Sequence, residues 1–135
     1  MASWFQPILL IKMKQIDWKE GIRNNMEKKT IKLMLDYLQG PIWISDAETG
    51  EPLTGIDIID SDDVIKELNY KCSELYSSCY EFDDENGPCR FNDERAKEIK
   101  DTLIDLLKEL KKRLNLINDG TFVIDDKATD EIMKY

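Results

Sequence analysis

"EFDDENGPCRFNDER" (residues 81–95) separates two stretches of helical period, and the fold turns on whether it is a ligand loop or a plain turn. Helix, acidic loop and helix is the plan of the EF-hand. Its loop needs oxygen ligands at the first, third and fifth positions, glycine at the sixth and a bidentate glutamate at the twelfth. Starting at Asp83 puts Glu85 and Glu94 in the third and twelfth places, but Gly87 and Pro88 then fall on the fifth and sixth. Moving Gly87 to the sixth place makes Phe82 the first ligand, which has no side-chain oxygen. The stretch therefore reads as an acidic turn joining two helices, with Gly87 and Pro88 breaking the helical path.

On the N-terminal side of that turn, Val64, Leu68, Cys72, Leu75, Cys79 and Phe82 recur at helical spacing along one side. Asp60 or Ser61 is placed to cap this helix, and Asp62 and Asp63 suit the positive end of its dipole. On the other side, Asn92 is the expected cap and Asp93 and Glu94 fill the first turn. Ile99, Leu103, Leu106, Leu110, Leu114 and Ile117 form the stripe. Lys111, Lys112 and Arg113 sit near the end of this helix, and Gly120 is positioned to terminate it.

Further upstream the period is two. Ile31, Leu33, Leu35 and Tyr37 alternate with Lys32, Met34 and Asp36, the pattern of a strand with one buried face. "QGP" (39–41) ends it, "IWIS" (42–45) resumes an extended run, "DAETGEPLTG" (46–55) is a loop, and "IDII" (56–59) reads as the next strand. Connections this short admit only antiparallel pairing. "TFVID" (121–125) reads as a last short strand, and "KATDEIMKY" (127–135) as one or two helical turns or a frayed tail.

The expected fold is α+β, a small antiparallel β-sheet (30–60) packed on an antiparallel two-helix hairpin (62–81 and 93–118). Residues 26–135 form the single α+β domain, since the alternating pattern begins with "MEKKTIKLMLDY" (26–37). Residues 1–25 read as a leader or loosely attached segment, dispensable for folding, although Trp4, Phe5, Ile8 and Leu10 offer apolar surface for packing. At 135 residues, 41% hydrophobic and 35% charged, the chain has the composition of a folded domain that buries a core without metals or disulfides. Its longest apolar run, "ASWFQPILLI" (2–11), is far short of the roughly 20 residues of a membrane-spanning helix. Lys12 and Lys14 follow that run instead of preceding it, unlike a signal peptide, so a cytoplasmic protein with no membrane role is expected.

Cys72, Cys79 and Cys89 are an odd number, with six and nine residues between them, and there is no histidine. That fits neither a disulfide framework nor a zinc knuckle, and the thiols read as structural in a reducing compartment. Carboxylates such as Asp57, Asp60 and Glu67 are the types that hold two Mg²⁺ ions, but their spacing matches no such site. No phosphate loop or nucleophile–base pair is present. The expectation is a protein without catalytic, cofactor or metal residues.

Charge is the distinctive feature. Residues 43–94 carry 15 acidic residues and 3 basic ones, a net of 3 − 15 = −12, against −9 for the whole chain. A field of that sign repels nucleic acid and speeds association with basic protein surfaces, although a charge-rich face also serves solubility alone. Carboxylates in a row imitate phosphates. The candidate partner-binding residues are Trp43, Glu48, Glu51, Asp57, Asp60, Asp62, Asp63, Glu67, Asp83, Asp84 and Glu85. Tyr70, Tyr76 and Tyr80 are further candidate anchors, unless they fill a core.

From "MEKKTIKLMLDYLQGPIWISDAETGEPLTG" (26–55) through the acidic helical pair, the chain resembles the small acidic accessory proteins of phages and mobile elements, anti-CRISPR inhibitors among them. The resemblance lies in size and charge. It implies a protein that binds a Cas nuclease or another nucleic-acid-binding protein and blocks its groove, with no direct nucleic-acid contact and no chemistry of its own. Two alternatives have the same charge logic or the same helices. One is an immunity protein or antitoxin that neutralises a basic nuclease toxin. The other is a helical-hairpin module, monomer or homodimer, that self-associates through Leu103, Leu106, Leu110 and Leu114.

Overall fold

The computed structural model describes residues 28–82 and 89–135. The expectations for residues 1–25, and for Asp83, Asp84 and Glu85 within the interhelical turn, lie outside the described residues. Elements in chain order are β1 (Lys29–Leu33), α1 (Asp57–Asp60), α2 (Asp63–Ser77), β2 (Tyr80–Glu81), β3 (Arg90–Phe91), α3 (Asp93–Ile117), β4 (Phe122–Asp126) and α4 (Ala128–Met133). The fold is mixed helix and strand, as the two sequence periods require.

The strand pairing corrects the expected antiparallel sheet. β1 pairs in parallel with β4, in register from Lys29 opposite Phe122 to Leu33 opposite Asp126. A parallel pair needs a long crossover, and here α1, α2 and α3 all lie between the two strands. Reasoning from neighbouring segments misses this partner because it is the farthest strand along the chain. Antiparallel pairing survives as the short β2–β3 ladder and as isolated bridges, Leu33 with Ile42 and Ser45 with Pro52. "IDII" is not a strand either. Amides of Ile59 and Asp60 donate to the Ile56 carbonyl at 3.0 and 2.9 Å, closing the helical turn of α1. A four-residue apolar run does not distinguish the two periods.

The helix ends form where the side chains dictate. Asp62, not Asp60 or Ser61, caps α2 by accepting from the Ile65 amide, and Asn92 caps α3 by accepting from the Arg95 amide. The buried line of α2 is Ile65, Asn69, Cys72 and Tyr76, one residue round from the expected stripe. Cys72 is shared, Cys79 just past the helix is also fully buried as expected, Leu68 and Leu75 are half-buried, and Val64 and Phe82 are 45% and 55% exposed. The shift has a cause: a polar residue, Asn69, occupies the inner line and hides its period. On α3 the inner line is Ile99, Leu103, Leu107, Leu110 and Leu114, with Leu106 and Ile117 half-buried. Of the four leucines expected to mediate self-association, Leu103, Leu110 and Leu114 are wholly buried within the chain and Leu106 is half-buried.

These two lines, the inner face of β1 and β4 (Ile31, Leu33, Phe122), and Ala128 and Ile132 of α4 make one core. Beside it runs an aromatic chain, Tyr37, Tyr80, Tyr76, Phe91 and Tyr135, with successive ring centroids 5.1–5.8 Å apart. Tyr76 and Tyr80 thus pack within the structure and do not stand out as anchors.

Two ion pairs join distant segments. Asp62 meets Arg113 at 2.7 Å, and Asp126 meets Lys111 at 2.7 Å. Arg95 Nε also donates to Ser78 Oγ at 3.2 Å, so the start of each long helix lies beside the end of the other. Burial pushes the Asp62 carboxyl up, but the Arg113 hydrogen bond and the Ile65 amide outweigh it and hold the pKa below the usual carboxylate value. For Asp126 the same opposition, with Lys111 and Thr129 as partners, gives the same net lowering. A carboxyl depressed in the folded state adds stability that is present above its unfolded pKa of about 3.9 and is lost as pH falls through the folded value. Thermal melts from pH 7 to pH 2 should therefore fall steeply below about pH 4. Asp62→Asn, which keeps a capping side chain, should be destabilised at pH 7 and converge on wild type at pH 2. A gap that stays constant with pH would contradict this assignment.

Candidate functional site

Residues 34–55, which include the start of the acidic stretch, fold back onto α2 as a two-tier loop. In the first tier the Met34 amide donates to the Pro41 carbonyl at 2.8 Å and the Trp43 amide to the Lys32 carbonyl at 3.0 Å. Between them the chain turns at Leu38, whose φ of 57° lies in the left-handed region. The second tier is a hairpin. Leu53 N–H donates to the Ile44 carbonyl at 2.9 Å, Asp46 N–H to the Glu51 carbonyl at 2.9 Å, and Gly50 N–H to the Asp46 carbonyl at 2.9 Å. Asp46 Oδ1 also accepts from the Glu48 and Thr49 amides at 2.8 and 2.9 Å, which sets the tip. Those amide bonds, Thr49 first, hold its carboxyl below the usual range.

One side chain ties both tiers to the core. Asn69 is fully buried; its Oδ1 accepts from the Ile42 amide at 3.0 Å, and its Nδ2 donates to Ser45 Oγ at 2.7 Å and to the Gly50 carbonyl at 3.0 Å. The contact leaves no room for larger residues. A Cβ on Gly40 would lie 2.1 Å from Asn69 Nδ2, and one on Gly50, where φ is +73°, would lie 2.5 Å from Tyr70 Cβ. The far arm of the hairpin is held by Asp60. Its Oδ1 accepts from the Thr54 amide and hydroxyl at 3.0 and 2.6 Å, and its Oδ2 from the Gly55 amide at 2.8 Å.

The expected site residues divide accordingly. Glu48, Glu51, Asp57, Asp63 and Glu67 are exposed. Glu67 pairs with Lys71 at 3.0 Å along the exposed side of α2, a contact worth about 0.3–0.5 kcal/mol. Asp60 and Asp62 have internal tasks, a loop clamp and a helix cap with an arginine partner, and do not stand free on the surface. Trp43 is 38% exposed, and beside it on the hairpin are two residues that charge counting overlooked, Ile44 and Leu53, at 52% and 56%. The Leu53–Ile44 backbone bond sets them directly opposite one another, so their side chains share a face. The signal was available in the sequence: both flank the turn-forming "SDAETGEP" (45–52), where an amphipathic hairpin displays residues in register.

Other chemistry is sparse among the described residues. They contain no group of three or more His, Cys, Asp or Glu side chains placed to hold a metal ion, and no helix long and apolar enough to cross a membrane. Burial pushes the Cys72 thiol up to about 12, so it stays protonated and unreactive at neutral pH. Half-buried Leu68 of α2 and exposed Leu116 of α3 line a shallow groove of about 180 Å³ with Val64, Glu109, Lys112 and Arg113. Compared with protein-family models, curated proteins and solved structures, the chain matches none.

Proposed function

We propose that this chain is a protein-binding inhibitor that presents its acidic 43–94 surface to the nucleic-acid groove of a basic bacterial protein. A Cas nuclease is the partner class that its resemblance to anti-CRISPR proteins implies. Inhibition is by occupancy, with no cofactor and no chemistry of its own. The observation that carries the reading is the absence of any cation from residue 33 to residue 65, a run that holds eight carboxylates. Glu48, Glu51, Asp57 and Asp63 of that run are exposed on the hairpin and the neighbouring helix starts. Carboxylates so arranged repel phosphates and attract the Lys and Arg side chains that otherwise bind them.

The test has two steps. Affinity capture from a bacterial lysate with mass spectrometry names the partner, and a competition assay then asks whether nucleic acid and this protein exclude one another from it. Reversal of Glu48, Glu51 and Asp57 to lysine should weaken that binding at least tenfold with an unchanged melting temperature, mainly by slowing association. Wild-type binding should decline as salt rises through roughly 0.1 to 1 M. A captured nuclease toxin in place of a defence nuclease would make the protein an immunity protein by the same mechanism. Binding insensitive to both salt and charge reversal would overturn the electrostatic reading.

A further inference from the structure

We propose that Asp119–Gly120, in the turn joining α3 to β4, is a modification site at which the chain converts to isoaspartate, and that Thr121 and Asn118 restrain the conversion while the turn is folded. It is the one Asp-Gly pair in the sequence. Asp119, Gly120 and Thr121 are all exposed, and a Cβ on Gly120, where φ is +94°, would meet no atom within 4 Å. Gly120 brings no side chain of its own to hinder approach to its amide nitrogen.

The chemistry is a ring closure followed by hydrolysis. Gly120 N attacks Asp119 Cγ, the N–Cγ bond forms, and the carboxyl hydroxyl leaves as water with the amide proton. The product is a cyclic succinimide. Water then adds back at one of its two carbonyls. Breaking the N–Cγ bond restores aspartate, whereas breaking the bond from that nitrogen to the Asp119 main-chain carbonyl carbon leaves isoaspartate, whose backbone runs through Cβ and Cγ. One water is lost and one regained, so the mass is unchanged and no oxidant or cofactor takes part.

In the folded turn both reacting groups are held. Gly120 N–H donates to Asn118 Oδ1 at 2.9 Å, and Asp119 Oδ1 accepts from the Thr121 amide at 3.1 Å and from the Thr121 hydroxyl at 2.6 Å. Asn118 is fixed in its turn by Nδ2, which donates to the Phe122 carbonyl at 3.0 Å. Ring closure needs the nitrogen to release its proton and the carboxyl to carry one, because an ionised carboxylate has no hydroxyl to lose. Thr121 opposes the second requirement. Its hydroxyl bond foremost, together with its amide bond, outweighs desolvation and holds the Asp119 carboxyl below its ordinary value, so the protonated fraction at neutral pH is smaller than in the unfolded chain. The site also sits where a change matters. The Thr121 carbonyl accepts from the Lys29 amide at 3.2 Å, beside the Lys29–Phe122 pair that opens the β1–β4 ladder. Isoaspartate adds one backbone atom just ahead of that bond and so displaces the start of β4 against β1.

The test ages the full-length protein in mildly acidic buffer, folded and in parallel in denaturing urea, and reads isoaspartate by enzymatic methyl transfer with peptide mapping to position 119. The unfolded chain should accumulate it faster than the folded one. Thr121→Val removes the hydroxyl bond at an exposed position, so the folded variant should keep the wild-type melting temperature and convert roughly fivefold faster than wild type, the rate equivalent of one net hydrogen bond. Thr121→Ser, which keeps the hydroxyl, should return to the wild-type rate. Aged folded protein enriched in isoaspartate should show faster exchange at the Lys29 amide. Equal rates in folded and unfolded wild type would overturn the restraint, and this comparison needs no variant, so it stands even where Thr121→Val melts lower. A Thr121→Val rate equal to wild type would overturn the part given to Thr121, and the absence of isoaspartate at 119 from the unfolded chain would overturn the site itself.

Discussion

Replacing Asn69 with alanine should lower the unfolding free energy by about 3 kcal/mol or more. The Ile42 amide and the Gly50 carbonyl lose their buried partner, and each such group left unsatisfied costs about 1–3 kcal/mol. For a chain of this size that corresponds to a melting temperature lower by roughly 10–20 °C. Asn69→Asp distinguishes the donor from the acceptor role. It keeps an oxygen for the Ile42 amide but loses both Nδ2 donations and buries a charge, so it should be no milder than alanine. Gly40→Ala reaches the same contact from the other side, because its Cβ would stand 2.1 Å from Asn69 Nδ2. Amide exchange locates the effect: protection of the Ile42 amide should fall in all three variants. A melting temperature within two or three degrees of wild type in Asn69→Ala would show that the hub is not what holds the loop.

The second large effect separates two leucines four residues apart. Leu110 is fully buried in the core, so Leu110→Asp places an unpaired charge there at a cost of several kcal/mol and should abolish cooperative unfolding. Leu106 is half-buried beside a wide groove of about 450 Å³ lined also by Leu75, Thr102 and Arg95. Leu106→Asp should keep a cooperative transition with a moderate loss, because the new carboxylate reaches water. From the stripe alone the two substitutions look equivalent. Far-ultraviolet circular dichroism with thermal melts decides between these outcomes, and equal behaviour of the two variants would contradict the orientation of α3.

The contrast between those leucines shows what kind of information a linear pattern holds. Period marks a helix but leaves its rotation uncertain by a residue when two adjacent lines are both apolar, as with Leu106 and Leu107 on α3. On α2 the error came from Asn69: a polar residue on the inner line made the outer line, Val64, Leu68 and Leu75, look like the core face. Its hydrogen-bond partners are the backbone of a loop 19 to 27 residues away, and nothing local announces them. The same holds for the carboxylates. Counting placed Asp60 and Asp62 beside Glu48 and Glu51 as a single surface, whereas hydrogen bonding turned two of them inward to a loop and a cap.

What the chain determined by itself was local in origin: the existence of α2 and α3, the Asn92 cap, the last strand and the acidic run without cations. Each follows from propensity, spacing and composition over a few residues. Tertiary structure decided the rest. It paired β1 with β4 in parallel, set which side of each helix faces inward, committed Asp60 and Asp62 to structural bonds, and left Ile44 and Leu53 exposed beside Trp43. The physical reason is that strand pairing, helix rotation and side-chain exposure depend on groups brought together from distant parts of the chain, whose energies are settled only when the whole core closes around them.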